Sequence, residues 1–187
     1  MQLIRPIFVT GACSGIGLAL CQRLESAGHH VVSIDINERS SKLHSLDHWR
    51  CDLSNPTSVN ALITNLESSY DLTLAGSLIN VAGVPGTIAS ASVIEVNTLA
   101  VRKLSKAFAS WLQPGSSIVN VGSISGNGWQ QRIEVHKEFL ALSDEDARSW
   151  WFDRESSIGI DSYSFSKEAV IVWTMRQAGE LLANGIR

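Results

Sequence analysis

Read for its alternation of apolar and polar positions, the chain breaks into short apolar runs separated by longer stretches with helical spacing. Ile7-Phe8-Val9-Thr10 is an apolar run that stops at Gly11, and Ile16, Ala19, Leu20, Leu24 and Ala27 then recur as one face of a helix. The pattern predicts strand, glycine turn, helix. Gly28 suits the left-handed position just past a helix end, and Val31-Val32-Ser33-Ile34-Asp35 is a second apolar run closing on an acid.

The alternation continues along the chain. Trp49-Arg50-Cys51 reads as a short strand, followed by a helix in which Asn55 caps and Pro56 takes the first position. Ser77 to Val81 is the next strand. A long helix over Ser92 to Leu112 is ended by Pro114-Gly115, and Ser117 to Val121 gives another buried strand before a last helix over Tyr163 to Leu182. Strands alternating with helices at this spacing predict an α/β fold, a doubly wound parallel sheet with right-handed crossovers. No repeat or linker divides it, so residues 1–187 are expected to form a single domain.

Composition narrows the classes. Hydrophobic residues at 44% against charged residues at 18% place the chain with globular proteins rather than disordered ones. A formal charge of -3 with no basic cluster gives no footing for nucleic acid. The opening stretch Met1 to Thr10 carries Arg5 and Pro6 within its apolar run, so it reads as a strand and not a signal peptide, and no segment reaches membrane-spanning length. Cys13, Cys21 and Cys51 match neither a zinc pattern nor a disulfide framework, which fits reduced thiols in a cytoplasmic compartment.

Candidate chemistry begins in the glycine turn. In Thr10-Gly11-Ala12-Cys13-Ser14-Gly15-Ile16-Gly17 the glycines lie between the first strand and the first helix, where backbone N–H groups can hold a pyrophosphate. Asp35 ends the second strand, placed to accept from adenosine ribose hydroxyls and to repel a 2′-phosphate. That favours NAD over NADP, although Arg39 lies close in sequence. Tyr163 and Lys167, four residues apart, share a helix face. A phenol with a reference pKa of about 10 is a poor base at neutral pH, and a fixed positive charge beside it favours the phenolate. Taken singly, Ser123 reads as a strand-end serine and Asn97 as a mid-helix packing residue.

As a set the residues resemble the short-chain dehydrogenase/reductase family. The resemblance rests on Thr10-Gly11-xxx-Gly15-x-Gly17, Asp35, Cys51-Asp52-Leu53, Asn80-Val81-Ala82-Gly83, Asn97, Ser123 and Tyr163-xxx-Lys167, in that order. It implies a Rossmann-like domain in which Gly11, Cys13, Ser14, Gly15, Ile16 and Gly17 hold the cofactor. Asp52 and Leu53 would line the adenine, and Asn80, Ala82 and Gly83 the cofactor floor. It further implies that Ser123 bonds the reacting oxygen, Tyr163 exchanges its proton, Lys167 holds the nicotinamide ribose, and Asn97 anchors a water. No metal is implied. The partners implied are a small-molecule alcohol or carbonyl and further copies of the chain, as a homodimer or homotetramer, with no nucleic acid and no membrane.

The sequence departs from the family pattern in four places. Val81 replaces an asparagine, and Gly122 a serine. Forty positions separate Ser123 from Tyr163, which predicts a helical insertion over about 127–160. Its residues Trp129, Phe139, Trp150, Trp151 and Phe152 read either as a substrate wall or as the insertion's own core, with a helix starting at Ser143 and His136 a lone histidine without a second ligand. Such an insertion is expected beside the active-site mouth or a subunit contact. It resembles the subgroup of coniferyl-alcohol and 3α-hydroxysteroid dehydrogenases, which implies an aryl or other bulky hydrophobic alcohol, with a hydroxysteroid or carbonyl substrate as the alternative. Finally, Asn184-Gly185-Ile186-Arg187 reads as the lead into a further strand, so the fold is expected to be C-terminally incomplete, lacking the usual last strands and substrate loop. A cofactor-binding protein without turnover is therefore a rival expectation.

Overall fold

The computed structural model describes residues 5–45 and 47–187; the part of the opening run before Arg5 lies outside them. Five parallel strands form one sheet in the order β3-β2-β1-β4-β5, with β1 Ile7–Thr10, β2 Val31–Asp35, β3 His48–Arg50, β4 Ser77–Asn80 and β5 Ser117–Asn120. The chain winds outward from β1 to β3, returns to place β4 on the other side of β1, and so creates a switch point between β1 and β4. The fold is the Rossmann-like, doubly wound α/β architecture that the alternation predicts.

Helices cover both faces: α1 Gly15–Ser26, α2 Pro56–Ser69, α3 Ser90–Ile94, α4 Ala100–Trp111, α5 Ile133–Ala141, α6 Asp144–Arg154 and α7 Ser162–Ala183. Asn55 caps α2 by accepting from the Thr57 and Ser58 amides, with Pro56 at the first position. Gly28 follows α1 at φ 84°, the left-handed conformation that ends the helix cleanly. Phe8, Val32, Ile34, Leu78, Leu104 and Phe108 meet in the main core between the sheet and α2 and α4.

One element differs from the sequence pattern, and one open reading is decided. The long helix does not run unbroken: α3 passes through a π-helical turn at Glu95–Leu99 before α4. Wider turns of this kind leave no composition signal. The aromatic residues of the 127–160 segment, for which two readings stood open, form core. Phe139, Trp150 and Trp151 pack with Phe165, Ala169, Val172 and Trp173 of α7, while Phe152 is left exposed. As expected, Ser143 starts α6, its hydroxyl accepting from the Asp146 amide.

Candidate active site

The glycine turn is held from two sides. Thr10 Oγ1 accepts from the Val81 and Ala82 amides at 3.1 and 3.2 Å, which ties the end of β1 to the loop after β4. Helix α1 then starts so close to the turn that a Cβ on Gly17 would lie 2.0 Å from the Gly11 carbonyl oxygen, and one on Gly11, at φ +66°, would lie 2.7 Å from Ala82 Cα. The first turn of α1 leaves the amides of Gly15, Ile16 and Gly17 without intrahelical acceptors, an arrangement suited to an anion.

Asp35 is buried and both its oxygens are engaged. Oδ2 accepts from the Cys13 amide and Oδ1 from the Asn37 amide and side chain, each at 2.9 Å. The Cys13 N–H is thus directed at Asp35 instead of at a phosphate. A carboxylate offers about four acceptor positions, so Asp35 keeps room for a hydroxyl donor. Arg39 is turned away: its guanidinium donates to the Leu43 carbonyl at 2.7 Å.

A crevice of about 340 Å3 opens at this end of the sheet, lined by Gly11, Ser14, Asp35, Asp52, Leu53 and Ala82 among others. A second hollow of about 420 Å3, lined by Ile16, Val81, Pro85, Gly86, Tyr163 and Lys167, shares Gly83 and Val84 with it. Together they follow the carboxyl ends of the strands across the switch point, where open α/β sheets bind their ligands. An elongated dinucleotide fits this shape: glycine backbone at the centre, an acid at one end, and Tyr163 with Lys167 at the other.

At that second end, Lys167 Nζ donates to the Val121 carbonyl at 3.0 Å and lies 5.9 Å from the centre of the Tyr163 ring. Burial pushes the Lys167 ammonium below its ordinary pKa. A Cβ on Gly83 would sit 3.4 Å from Asn97 Oδ1 and 3.6 Å from Lys167 Nζ, so these groups flank one point of the crevice. Asn97 Oδ1 accepts from the Val84 amide at 2.8 Å, and its Nδ2 donates to the Val84 carbonyl and Ser166 Oγ. Asn97 stands in the π-helical turn, which the even helical spacing of the sequence did not signal.

Two other expected residues are not among those lining the crevice, although Gly122, next to Ser123, lines the hollow at Tyr163. Ser123 ends the segment after β5 and caps a short 3-10 turn over Ile124–Gly126, its Oγ accepting from the Ser125 amide. Among the described residues no hydrogen bond joins it to Tyr163. Asn80 is buried and donates to Ser105 and Asn120. Burial also raises the thiols of Cys13, Cys51 and Cys21, the last to about 12, which favours thiol over thiolate at neutral pH. Among the described residues, no helix is long and apolar enough to cross a membrane.

Fold and crevice define a nicotinamide-binding oxidoreductase. Residues 5–134 match the family model described as short chain dehydrogenase, and the chain belongs to that family. It is 37% identical over 181 residues to a coniferyl-alcohol dehydrogenase of Pseudomonas sp. (strain HR199 / DSM 7063), covering 96% of this chain and 68% of that protein. It is 32% identical over 165 residues to a sorbitol-6-phosphate 2-dehydrogenase of Klebsiella pneumoniae, covering 77% of this chain and 61% of that one. The chain thus spans about two thirds or less of these curated relatives. Among solved structures, a 3-alpha-hydroxysteroid dehydrogenase from Pseudomonas sp. B-0831 complexed with NADH superimposes with a TM-score of 0.77 at 28% identity, over 97% of this chain and 69% of that one.

Proposed function

We propose that residues 1–187 form one NAD-binding domain, the cofactor-binding and catalytic part of an enzyme that interconverts a bulky hydrophobic or aromatic alcohol and its carbonyl. The observation that carries this reading is a single one: Tyr163 and Lys167 line a hollow continuous with the crevice that contains Asp35.

Asp35 supports NAD over NADP, since its carboxylate would repel a 2′-phosphate and Arg39 is bonded to backbone carbonyls. When bound, the nicotinamide supplies the acceptor for the hydride that leaves the alcohol carbon with its electron pair. The chain's own residues handle the proton. Tyr163 takes it from the hydroxyl, the Lys167 ammonium, 5.9 Å from the centre of the Tyr163 ring, favours the negative charge there, and Ser123 donates to the reacting oxygen. Asn97 fixes the Gly83-Val84 backbone beside Lys167 and offers its remaining Oδ1 lone pair to a water in the proton path. Gly11, Ser14, Gly15, Ile16, Gly17, Asp52, Leu53, Ala82 and Gly83 hold the cofactor.

Ile16, Val81, Val84 and Pro85 give the hollow at Tyr163 an apolar mouth, which supports a hydrophobic substrate. The 37% identity to a coniferyl-alcohol dehydrogenase supports an aryl alcohol within that class. A cytoplasmic location and assembly as a homodimer or homotetramer belong to the same proposal and rest on the family resemblance. The test is NADH formation, followed by absorbance, with NAD or NADP and a panel of aryl alcohols and hydroxysteroids. Turnover of an aryl alcohol with NAD supports the reading. Cofactor binding without turnover of any member overturns the reaction.

A further inference from the structure

Three ion pairs join the 127–160 segment to the helices that carry Lys167 and Asn97. Arg132 donates to both oxygens of Glu168, the residue that follows Lys167, and His136 Nε2 bonds the same carboxylate at 2.7 Å. Arg148 donates through Nε and Nη2 to the two oxygens of Glu95, two residues before Asn97, at 2.6 and 2.9 Å. Arg102 of α4 bonds Asp144 at the start of α6. Glu168, His136 and Arg102 are each no more than 1% exposed, and Glu95 is 7% exposed.

Charged groups at such depth are costly to desolvate, and a buried ion pair stabilises a fold no better than well-packed apolar side chains of the same volume. The segment already has those: Phe139, Leu140, Trp150 and Trp151 hold it against α7. Apolar packing is non-directional and permits sliding, whereas a two-pronged guanidinium–carboxylate contact fixes distance and rotation. The backbone is built to the same end. A Cβ on Gly128 would lie 2.7 Å from Glu168 Oε1 and 2.6 Å from Arg132 Nη2, and one on Gly126 would lie 2.9 Å from the Lys167 carbonyl oxygen. The turn that begins at Ser123 is thereby pressed onto α7 at Lys167.

We infer that the 127–160 segment is a positioning clamp for the reaction, with Glu168, Arg132 and Arg148 as positioning residues that set the rotation of α7 at Lys167 and of the π-helical turn at Asn97. Glu168 acts through its neighbour Lys167 and touches neither cofactor nor substrate. Arg132 and Gly128 together hold the Ser123 turn against the same helix, so the clamp sets three of the reacting groups relative to one another. This inference rests on the catalytic reading above for its effect on rate, but not for its effect on the structure.

The test compares the wild type with Glu168→Gln, Arg132→Met, Arg132→Lys and Arg148→Gln, reading kcat, KM, melting temperature, and hydrogen exchange at residues 162–168. A misplacement of reacting groups by a fraction of an ångström predicts a fall in kcat of about tenfold to a hundredfold with KM changed by less than about threefold, in proteins that still melt cooperatively. Arg132→Lys restores part of the loss, and exchange at 162–168 quickens by about tenfold in Glu168→Gln. If Glu168→Gln does not fold, the half-exposed Arg148→Gln carries the comparison. Wild-type kcat in the folded variants, or a loss that merely tracks the melting temperature, overturns the clamp. If the wild type turns over nothing, the catalytic reading fails by itself, and the exchange still decides: unchanged protection at 162–168 overturns the clamp.

Discussion

Lys167 and Glu168 are consecutive on α7 and are both buried, yet they serve different partners: Lys167 donates to the Val121 carbonyl beside the crevice, and Glu168 accepts from Arg132 and His136. One helix turn therefore carries a charge that lines the hollow and a charge directed at the scaffold. The cost of burying Lys167 leads to the first prediction.

Burial depresses the Lys167 pKa, so the folded state binds this proton less readily than the unfolded chain. The contribution to stability is present above the unfolded pKa and is lost as pH falls through the folded value, so charged Lys167 weighs against the fold at neutral pH. Lys167→Met removes that cost and also the hydrogen bond to Val121, two effects of about 1 kcal/mol that oppose each other. Urea denaturation at pH 7 is expected to find the variant within about 1 kcal/mol of wild type while its turnover falls by about a hundredfold or more. The wild type gains on the variant as pH rises toward the unfolded lysine value.

The same substitution at two glycines separates fit from conformation. Gly17→Ala drives a methyl into the Gly11 carbonyl and is expected to cost about 1–3 kcal/mol and most of the cofactor affinity. Gly15→Ala meets open space, and at φ +48° is expected to cost only about 1–2 kcal/mol. Denaturant midpoints with titration of NADH fluorescence read both quantities.

Asp35→Asn keeps one acceptor oxygen for the Asn37 amide and side chain, loses the one that the Cys13 amide uses, and removes the charge proposed to exclude a 2′-phosphate. The ratio of NADPH to NADH dissociation constants is expected to fall by about tenfold, with a stability change of about 1 kcal/mol, since most of the hydrogen bonding survives. Fluorescence titration with each reduced cofactor measures it.

His136 is buried, which pushes its pKa below the ordinary 6.5 despite the Glu168 carboxylate. Among the described residues its Nδ1 has no hydrogen-bond partner. The unfolded chain takes up this proton first, so stability present above about pH 6.5 declines as pH falls toward the folded value. Burial acts to raise the Glu168 carboxyl, but hydrogen bonds from Arg132 and His136 outweigh it and hold its pKa below 4.5, which adds a further loss in stronger acid. Urea midpoints between pH 7 and about 5.5 are expected to fall in the wild type and to stay flatter in His136→Phe, which has no such proton to accept.

Much of this was legible from the order of residues. The runs at Ile7–Thr10 and Val31–Asp35, the Asn55-Pro56 start and the glycine turn each carry a local rule of their own, and local rules survive folding. So does Ser143 as the start of α6. The wider turn around Asn97 has no such rule, because the residues that need it, Val84 and Ser166, are distant in sequence. The aromatic residues of the 127–160 segment showed that something was to be buried but not against what; Phe165 and Trp173 of α7 supply the answer. No motif marks Glu168 as a partner of Arg132 and His136. Its signal was a lone acid between Lys167 and the apolar run Ala169 to Trp173, where a carboxylate needs buried partners.

The most direct test is single-turnover NADH formation by wild type and Tyr163→Phe with the same alcohol, after cofactor affinity has been matched. The account predicts that the variant binds NADH within about threefold of wild type while hydride transfer slows by about a hundredfold or more, because the phenol carries the proton and not the cofactor. Hydride transfer at the wild-type rate in Tyr163→Phe would contradict it.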